Sequence, residues 1–361
     1  MTTALPDIYG YARSQAPSSR NRKPQADPTP SPQDSPTRDS VKLGSRSASW
    51  MTDAIAIAQF TGSGFLYKEA AKSAAAQQER VPPLSDAPIV RLEDPFLIAP
   101  GWTTQPEKFD NLVGHLLKDK ANGERAVYLK EGQAYSDKEC SVPTEITEAD
   151  KVFVAVYDST LSPPHKTAGQ LDKAVEMIKS VQGEKVDVLG YSLGAIAVRK
   201  MLDDQLEPVD QVAFLGTGHQ GSRFAALANY IVRRDIKFAM KLANIDATHL
   251  PAMEWMMPVD PKNPEASPKL SALNANLDRQ RSQTTDMISI GSEGFSTITK
   301  SWGGVEGGDG LVQNSSLDLA GVPTVKLPGR GNKQHGNLPS DTDAFKELMS
   351  YFHWQPQPPV A

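Results

Sequence analysis

The chain has 361 residues, 39% of them hydrophobic, with 43 acidic against 38 basic side chains and a formal net charge of −5. That length holds one large α/β domain with extra segments, or two small domains, and the acidic balance excludes a dedicated nucleic-acid binder, which would present a basic face. Cys140 is the single cysteine, which rules out an internal disulfide, and no His or Cys cluster has zinc-ligand spacing, so neither a metal nor a cofactor is expected.

In chain order, residues 1–48 read as a disordered leader. From Ser14 to Arg46 the chain is dense in Pro, Ser, Arg and Asp and buries too little to offset the entropy of ordering it. No basic stretch followed by an apolar run opens the sequence, so a Sec-type signal is not expected. The apolar stretch Ala54 to Phe65 is short and broken by Gly62 and Gly64, which excludes a single membrane-spanning helix there. The default address is therefore cytoplasmic, with export by a route that reads an unfolded N-terminus as the alternative. Residues 49–87 turn helical, with Trp50, Ile55, Ile57, Phe60, Phe65, Leu66 and Ala70 on apolar faces. A helical hairpin packed on the main domain is the first reading, and a lid-like or membrane-surface role the second.

From residue 88 to 361, short β-branched runs alternate with helical patterns, the mark of a mostly parallel sheet with crossover helices. The expected strands are Phe96–Ala99, Ala126–Leu129, Val152–Tyr157, Val186–Leu189, Gln211–Leu215, Met287–Ile290 and Thr324–Leu327. The expected helices are Glu107–Leu117, Ala168–Val181, Leu193–Leu202 and Asp343–Phe352. One interval breaks the rhythm: from about 222 to 285 apolar residues recur at near-helical spacing with no strand between them. An insertion of that size between two strands reads as a helical cap or lid.

The strongest chemical signal is Val186-Asp187-Val188-Leu189 running into Gly190-Tyr191-Ser192-Leu193-Gly194 and then Ala195-Ile196-Ala197-Val198. This is strand, G-x-S-x-G, helix. So sharp a turn leaves no room for side chains two residues either side of the serine, a demand that Gly190 and Gly194 meet. It lifts the Ser192 hydroxyl to the carboxyl edge of the sheet and aims the first amides of the next helix at it, which makes Ser192 the expected nucleophile.

Such a serine needs a base and an acid later in the chain. Of the histidines after it, His335 lies in a polar stretch between the last strand and the last helix, where the base belongs; His353 ends that helix, and His249 falls in the cap. Asp309, in the Gly-rich turn Gly307-Gly308-Asp309-Gly310, is the expected acid, with Asp158 as a weaker rival. The oxyanion amides are expected from Leu193 and, in the loop Pro100-Gly101-Trp102, from Trp102.

These segments resemble the α/β-hydrolase superfamily, and within it the bacterial triacylglycerol-lipase-like serine hydrolases, over roughly Pro95 to Phe352. Phe96 to Trp102 looks like the lipase strand and oxyanion segment, and Gly190 to Gly194 like the nucleophile elbow. Phe214 to Ser222 is similar to the lipase Thr-Pro-His-x-Gly-Ser stretch, and Asp309-Gly310-Leu311-Val312 with Ser315 and Ser316 resembles the Asp-Gly-Val-Val stretch that carries the acid. Two positions depart from the pattern: Pro100 replaces a His, and Gly218 a Pro. The resemblance implies a structural role for His219, a mobile lid after Ser222, and hydrolysis of a small-molecule acyl ester or lipid, with transient membrane-surface contact through the cap. A phospholipase or acyltransferase using the same triad is the alternative. A non-catalytic scaffold binding a ligand or protein is the alternative of another class. A dinucleotide enzyme is disfavoured, because no G-x-G-x-x-G opens a helix after an early strand.

Overall fold

The computed structural model describes residues 83–260, 262–298 and 305–357, together with Ala58, Gly62 and Lys72, which are helical. All belong to one unit, Ser47–Ala361; the other unit, Met1–Arg46, lies outside the described residues, as do the expected disordered leader and most of the helical segment over 49–87.

The strands are β1 (Val90–Arg91), β2 (Phe96–Ala99), β3 (Ala126–Lys130), β4 (Gln133–Tyr135), β5 (Pro143–Thr144), β6 (Val152–Ala155), β7 (Asp187–Tyr191), β8 (Gln211–Leu215), β9 (Asp286–Ser292), β10 (Phe295–Ile298), β11 (Val305–Gly308), β12 (Thr324–Leu327) and β13 (Gln355–Pro356). Nine of them form one sheet in the order β12-β9-β8-β7-β2-β6-β3-β4-β5, parallel from β12 to β3 and antiparallel only at the β3-β4-β5 edge. The central strands are buried throughout, so their residues alternate between two cores rather than between core and water. In β2, Leu97 and Ala99 join the core under the helices Pro164–Gln182 and Leu193–Asp203. Phe96 and Ile98 join the opposite core, under the helices Asp110–Leu116 and Thr342–Tyr351. This is a doubly covered α/β sheet, as the alternating pattern requires.

The differences from the expected elements are local. Tyr157 lies beyond the end of β6 instead of inside it, and the expected helix Glu107–Leu117 divides into a 3-10 turn, Pro106–Phe109, and the helix Asp110–Leu116. The Gly-rich stretch before Asp309 is a strand, β11, paired antiparallel with β10. Its glycines lower strand propensity in the sequence, and pairing with β10 overrides that local weakness. Between β8 and β9 the chain forms the helices Arg223–Arg233, Lys237–Ala243, Leu250–Met253, Pro268–Ala275 and Leu277–Arg281, with no strand among the described residues. Ala252, Trp255, Leu270 and Leu273 of this segment pack on Leu193 and Ile196, the first turns of the helix after Ser192.

Candidate active site

Every group of the site stands at the carboxyl edge of the sheet. Ser192 follows β7 at φ 54°, ψ −123°, a strained conformation outside the ordinary regions for a residue with a side chain. The elbow is built around absent side chains. A methyl group on Gly190 would lie 2.5 Å from the Ala195 Cα, and one on Gly194 would collide with the carbonyls of Ala99 and Pro100. Gly101 is the third close approach: a methyl there would lie 2.8 Å from both the Ser192 Cβ and the Tyr191 carbonyl, and 3.3 Å from the Leu193 nitrogen. The loop after β2 therefore sits directly against the elbow. Leu193 is the first residue of its helix, where backbone N–H groups have no intrahelical acceptor. The expected amides of Leu193 and Trp102 accordingly belong to two segments in contact.

His335 Nε2 is 3.0 Å from Ser192 Oγ, and His335 Nδ1 is 2.7 Å from Asp309 Oδ2. The His335 ring and the Asp309 carboxyl are both buried. Asp309 is held at three points. Its Oδ1 accepts from the amides of Leu311 and Val312 at 2.9 and 2.7 Å, and its own carbonyl accepts the His335 N–H at 2.8 Å. A carboxylate can only accept, so Nδ1 carries the ring hydrogen and Nε2 faces the serine as an acceptor. Where the sequence suggests a polar loop, the structure has a 3-10 helix, His335–Ser340, whose first residue is this histidine.

Two groups that sequence reasoning missed lie against His335. The Tyr191 hydroxyl donates to the His335 carbonyl at 2.7 Å, and the two rings stand 5.3 Å apart. Gly216, at φ +62°, passes beneath the pair, so that a methyl group on it would lie 3.4 Å from both Asp309 Oδ2 and His335 Cε1. A tyrosine inside the elbow and a glycine after a strand are visible in the sequence; that both face residues more than a hundred positions later is not.

The rivals are placed elsewhere. Asp158 is exposed and accepts from Gln170 at 2.6 Å. His353 is exposed beyond the last helix, and His249 lies in the cap, its ring edge-on to Trp102 at 5.5 Å. His219 is fully buried, with Nδ1 3.3 Å from Arg199 Nη1. Arg199 is buried as well, and also donates to Gln280 Oε1 at 2.9 Å and to the Leu273 carbonyl at 3.3 Å. Burial pushes the Arg199 guanidinium down to about 9, and burial with that neighbouring cation holds His219 neutral, well below the usual histidine range. Among the described residues, no group of three or more His, Cys, Asp or Glu side chains could hold a metal ion, and no helix is long and apolar enough to cross a membrane.

A central parallel sheet, a G-x-S-x-G elbow on an inner strand, and an acid and histidine arriving later in the chain decide the architecture. The fold is that of the α/β-hydrolases. No protein-family model matches the chain, and no curated protein matches it by sequence. Among solved structures, the chain is similar to a lipase of Bacillus licheniformis, BlEst2 in its mature form, at 15% identity and a TM-score of 0.48, over 75% of this chain and 94% of that one. It is also similar to the lin2722 gene product of Listeria innocua, at 13% identity and a TM-score of 0.47, over 72% and 93% of the two chains. A lipase-esterase related protein of Clostridium acetobutylicum is a third, at 11% identity and a TM-score of 0.40, over 73% and 98%.

Proposed function

We propose that the protein is a serine carboxylic-ester hydrolase in which Ser192 is the nucleophile, His335 the general base and Asp309 the acid that orients it. The observation that carries this reading is the unbroken chain of contacts from Ser192 Oγ to His335 to Asp309, at 3.0 and 2.7 Å, on a strained elbow. Ser192 Oγ attacks the ester carbonyl as its proton passes to His335 Nε2. Asp309 stabilises the imidazolium, and the amides of Leu193 and Trp102 hold the oxyanion. The imidazolium returns the proton to the leaving alcohol. Water then repeats the sequence on the acyl-enzyme, releasing a carboxylic acid.

The cap extends the reading toward lipids. Trp255, Leu270, Leu273 and Ala252 form an apolar cover over the turn that follows Ser192, and Phe238, 73% exposed, stands between Lys237 and Lys241 on the cap's outer side. Such a surface suits acyl chains beneath it and brief contact with a lipid interface outside it. An activity-based fluorophosphonate probe tests the core of the reading. The folded protein should label, and Ser192→Ala should neither label nor hydrolyse p-nitrophenyl esters. Labelling that persists in Ser192→Ala would overturn the nucleophile, and absence of labelling in the unaltered protein would leave a binding scaffold. Turnover of p-nitrophenyl esters over a range of chain lengths tests the extension, which a steep preference for acetate would contradict.

A further inference from the structure

The outer side of the cap reverses the charge balance of the chain. Acidic residues outnumber basic ones overall, 43 to 38. Between residues 233 and 241, however, Arg233, Arg234, Lys237 and Lys241 stand against one carboxylate, Asp235, and all of these side chains are exposed. The cap helix Lys237–Ala243 organises part of the cluster. At 3.6 residues per turn Lys237, Phe238 and Lys241 fall within roughly 100° of arc, and all three face solvent. Ala239 and Met240, elsewhere around the same helix, pack into the apolar cluster of the cap. Phe238 is 73% exposed, more than any other large hydrophobic side chain among the described residues.

An aromatic ring set between two long cations is the chemistry of a segment that lies in a membrane interface. The ring enters the apolar layer, and the cations stay with the headgroups. Arg233 is engaged with Glu254 at 2.7 Å, so the lysines on the face of Phe238 are the cations best placed for an outside partner. Lys237 pairs with Asp235, but both side chains are well exposed, and such a pair is weak in water. The apolar cluster beneath the helix also receives Trp102, and Trp102 belongs to the loop whose Gly101 lies against Ser192. The face is therefore one apolar layer away from the elbow loop.

We propose that this face docks the protein on an anionic phospholipid membrane. Phe238 inserts at the boundary between headgroups and acyl chains, and Arg234, Lys237 and Lys241 meet the negative charges of the lipids. The remainder of the chain, which is net acidic, is repelled by such a surface, and this turns the cap toward it. The proposal rests on the lipid-directed part of the reading above and commits that contact to one partner, a negatively charged bilayer.

Sedimentation of the full chain with lipid vesicles tests it, comparing phosphatidylcholine alone with phosphatidylcholine containing about 30% phosphatidylglycerol. The anionic vesicles should bind at least tenfold more tightly at about 0.1 M salt, and most of that difference should vanish at about 0.5 M. Replacing Lys237 and Lys241 together by Gln should weaken binding to the anionic vesicles on the order of twentyfold and leave binding to the neutral ones unchanged. Phe238→Ser should weaken binding to both on the order of tenfold. Other cations of the chain, among them Arg20, Arg22 and Lys23, are common to every protein compared, so these losses isolate the face. Thermal unfolding should be unchanged in the variants, whose altered side chains are exposed; Lys241→Gln alone, with a loss of about fivefold, serves if the double variant does not fold. Equal binding to the two kinds of vesicle, binding to neither, or anionic binding that survives the glutamine variants overturns the proposal. So does self-association by light scattering, without vesicles, that Phe238→Ser abolishes, because the ring would then cover a second copy of the chain. Fluorophosphonate labelling needs no vesicle, so failure to label overturns the hydrolase reading separately.

Discussion

Replacing Asp309 with Asn exchanges one carboxylate oxygen for an NH₂ group, and the structure dictates how the amide must sit. Oδ1 of Asp309 accepts from two backbone amides, of Leu311 and Val312, and Oδ2 faces a single partner, His335 Nδ1. An asparagine placed with its oxygen toward the two amides keeps both bonds. The reverse placement sets an NH₂ donor against two N–H donors in a buried position. The oxygen therefore stays with the backbone, and the NH₂ points at His335 Nδ1, which must now accept. That moves the ring hydrogen to Nε2, leaving no acceptor for the Ser192 proton. The expected loss in kcat is on the order of 10³–10⁴, equivalent to about 4–5.5 kcal/mol of transition-state stabilisation. Stability should change far less, because only the charge-assisted bond to His335 is weakened, a loss of about 1.5–3 kcal/mol at most. Steady-state hydrolysis of p-nitrophenyl octanoate, alongside thermal unfolding, reads both quantities. An Asp309→Asn protein within tenfold of the unaltered kcat would refute the assignment of Asp309 as the orienting acid.

Three further predictions follow from the geometry. Gly101→Ala should lower kcat by about 10²–10³, the usual weight of one oxyanion donor, because its methyl group would lie 2.8 Å from the Ser192 Cβ; unchanged kcat in a folded variant would detach this loop from catalysis. Arg199→Ala should cost about 3 kcal/mol or more by leaving Gln280 Oε1 without its donor and emptying the buried volume that the arginine fills, lowering Tm by roughly 6–12 °C; a change within 2 °C would contradict it. Asp187 is buried near Asp94 and Asp210, and its carboxyl is pushed up to about 7. The folded state therefore keeps a proton that the unfolded state has already released, and stability falls as pH rises from about 4 toward 7. Asp187→Asn should raise Tm at pH 8, by up to about 4 kcal/mol of stability, and leave it nearly unchanged at pH 4. An equal shift at both pH values would contradict the linkage.

The parts of the fold written in local pattern were readable in advance. Phe96–Ala99, Gln211–Leu215 and Thr324–Leu327 are strands at the expected residues, because short runs rich in apolar or β-branched side chains and bounded by turn residues favour strands. The elbow was readable from its motif, but only Gly190 is demanded locally, by Ala195; the carbonyls that exclude a side chain at Gly194 are those of Ala99 and Pro100, far earlier in the chain. What escaped was the long-range part. Short edge pairings such as β4 with β5 and β1 with β13 involve two or three residues each, too few to show a period. The strand β11 was masked by its own glycines. Tyr191 carries no sign in the sequence that its hydroxyl anchors a histidine loop 144 positions later. Arg199, beside Lys200 in its helix, looks like a surface charge until His219 and Gln280 are found around it.

The site itself shows why order along the chain was a better guide than proximity. Ser192 and His335 follow β7 and β12, whose carboxyl ends share one edge of the parallel sheet, whereas Asp309 follows β11 of the separate antiparallel pair β10-β11. Asp158 follows β6, which β2 separates from β7, and it is spent on Gln170 at the surface. His219 follows β8, next to β7, but its ring turns inward to Arg199, where burial beside a cation keeps it from taking up a proton. Nearness in the sheet thus puts His219 in contention, and only the direction of its ring removes it. His335 arrives from β12, at the sheet's outer edge, and needs more support than a neighbour would. The Tyr191 hydroxyl, the Asp309 carbonyl and the Asp309 carboxylate supply it from three directions. Two of these bonds fix the His335 backbone and the third fixes its ring, so the orientation of the imidazole rests on the Asp309 carboxylate.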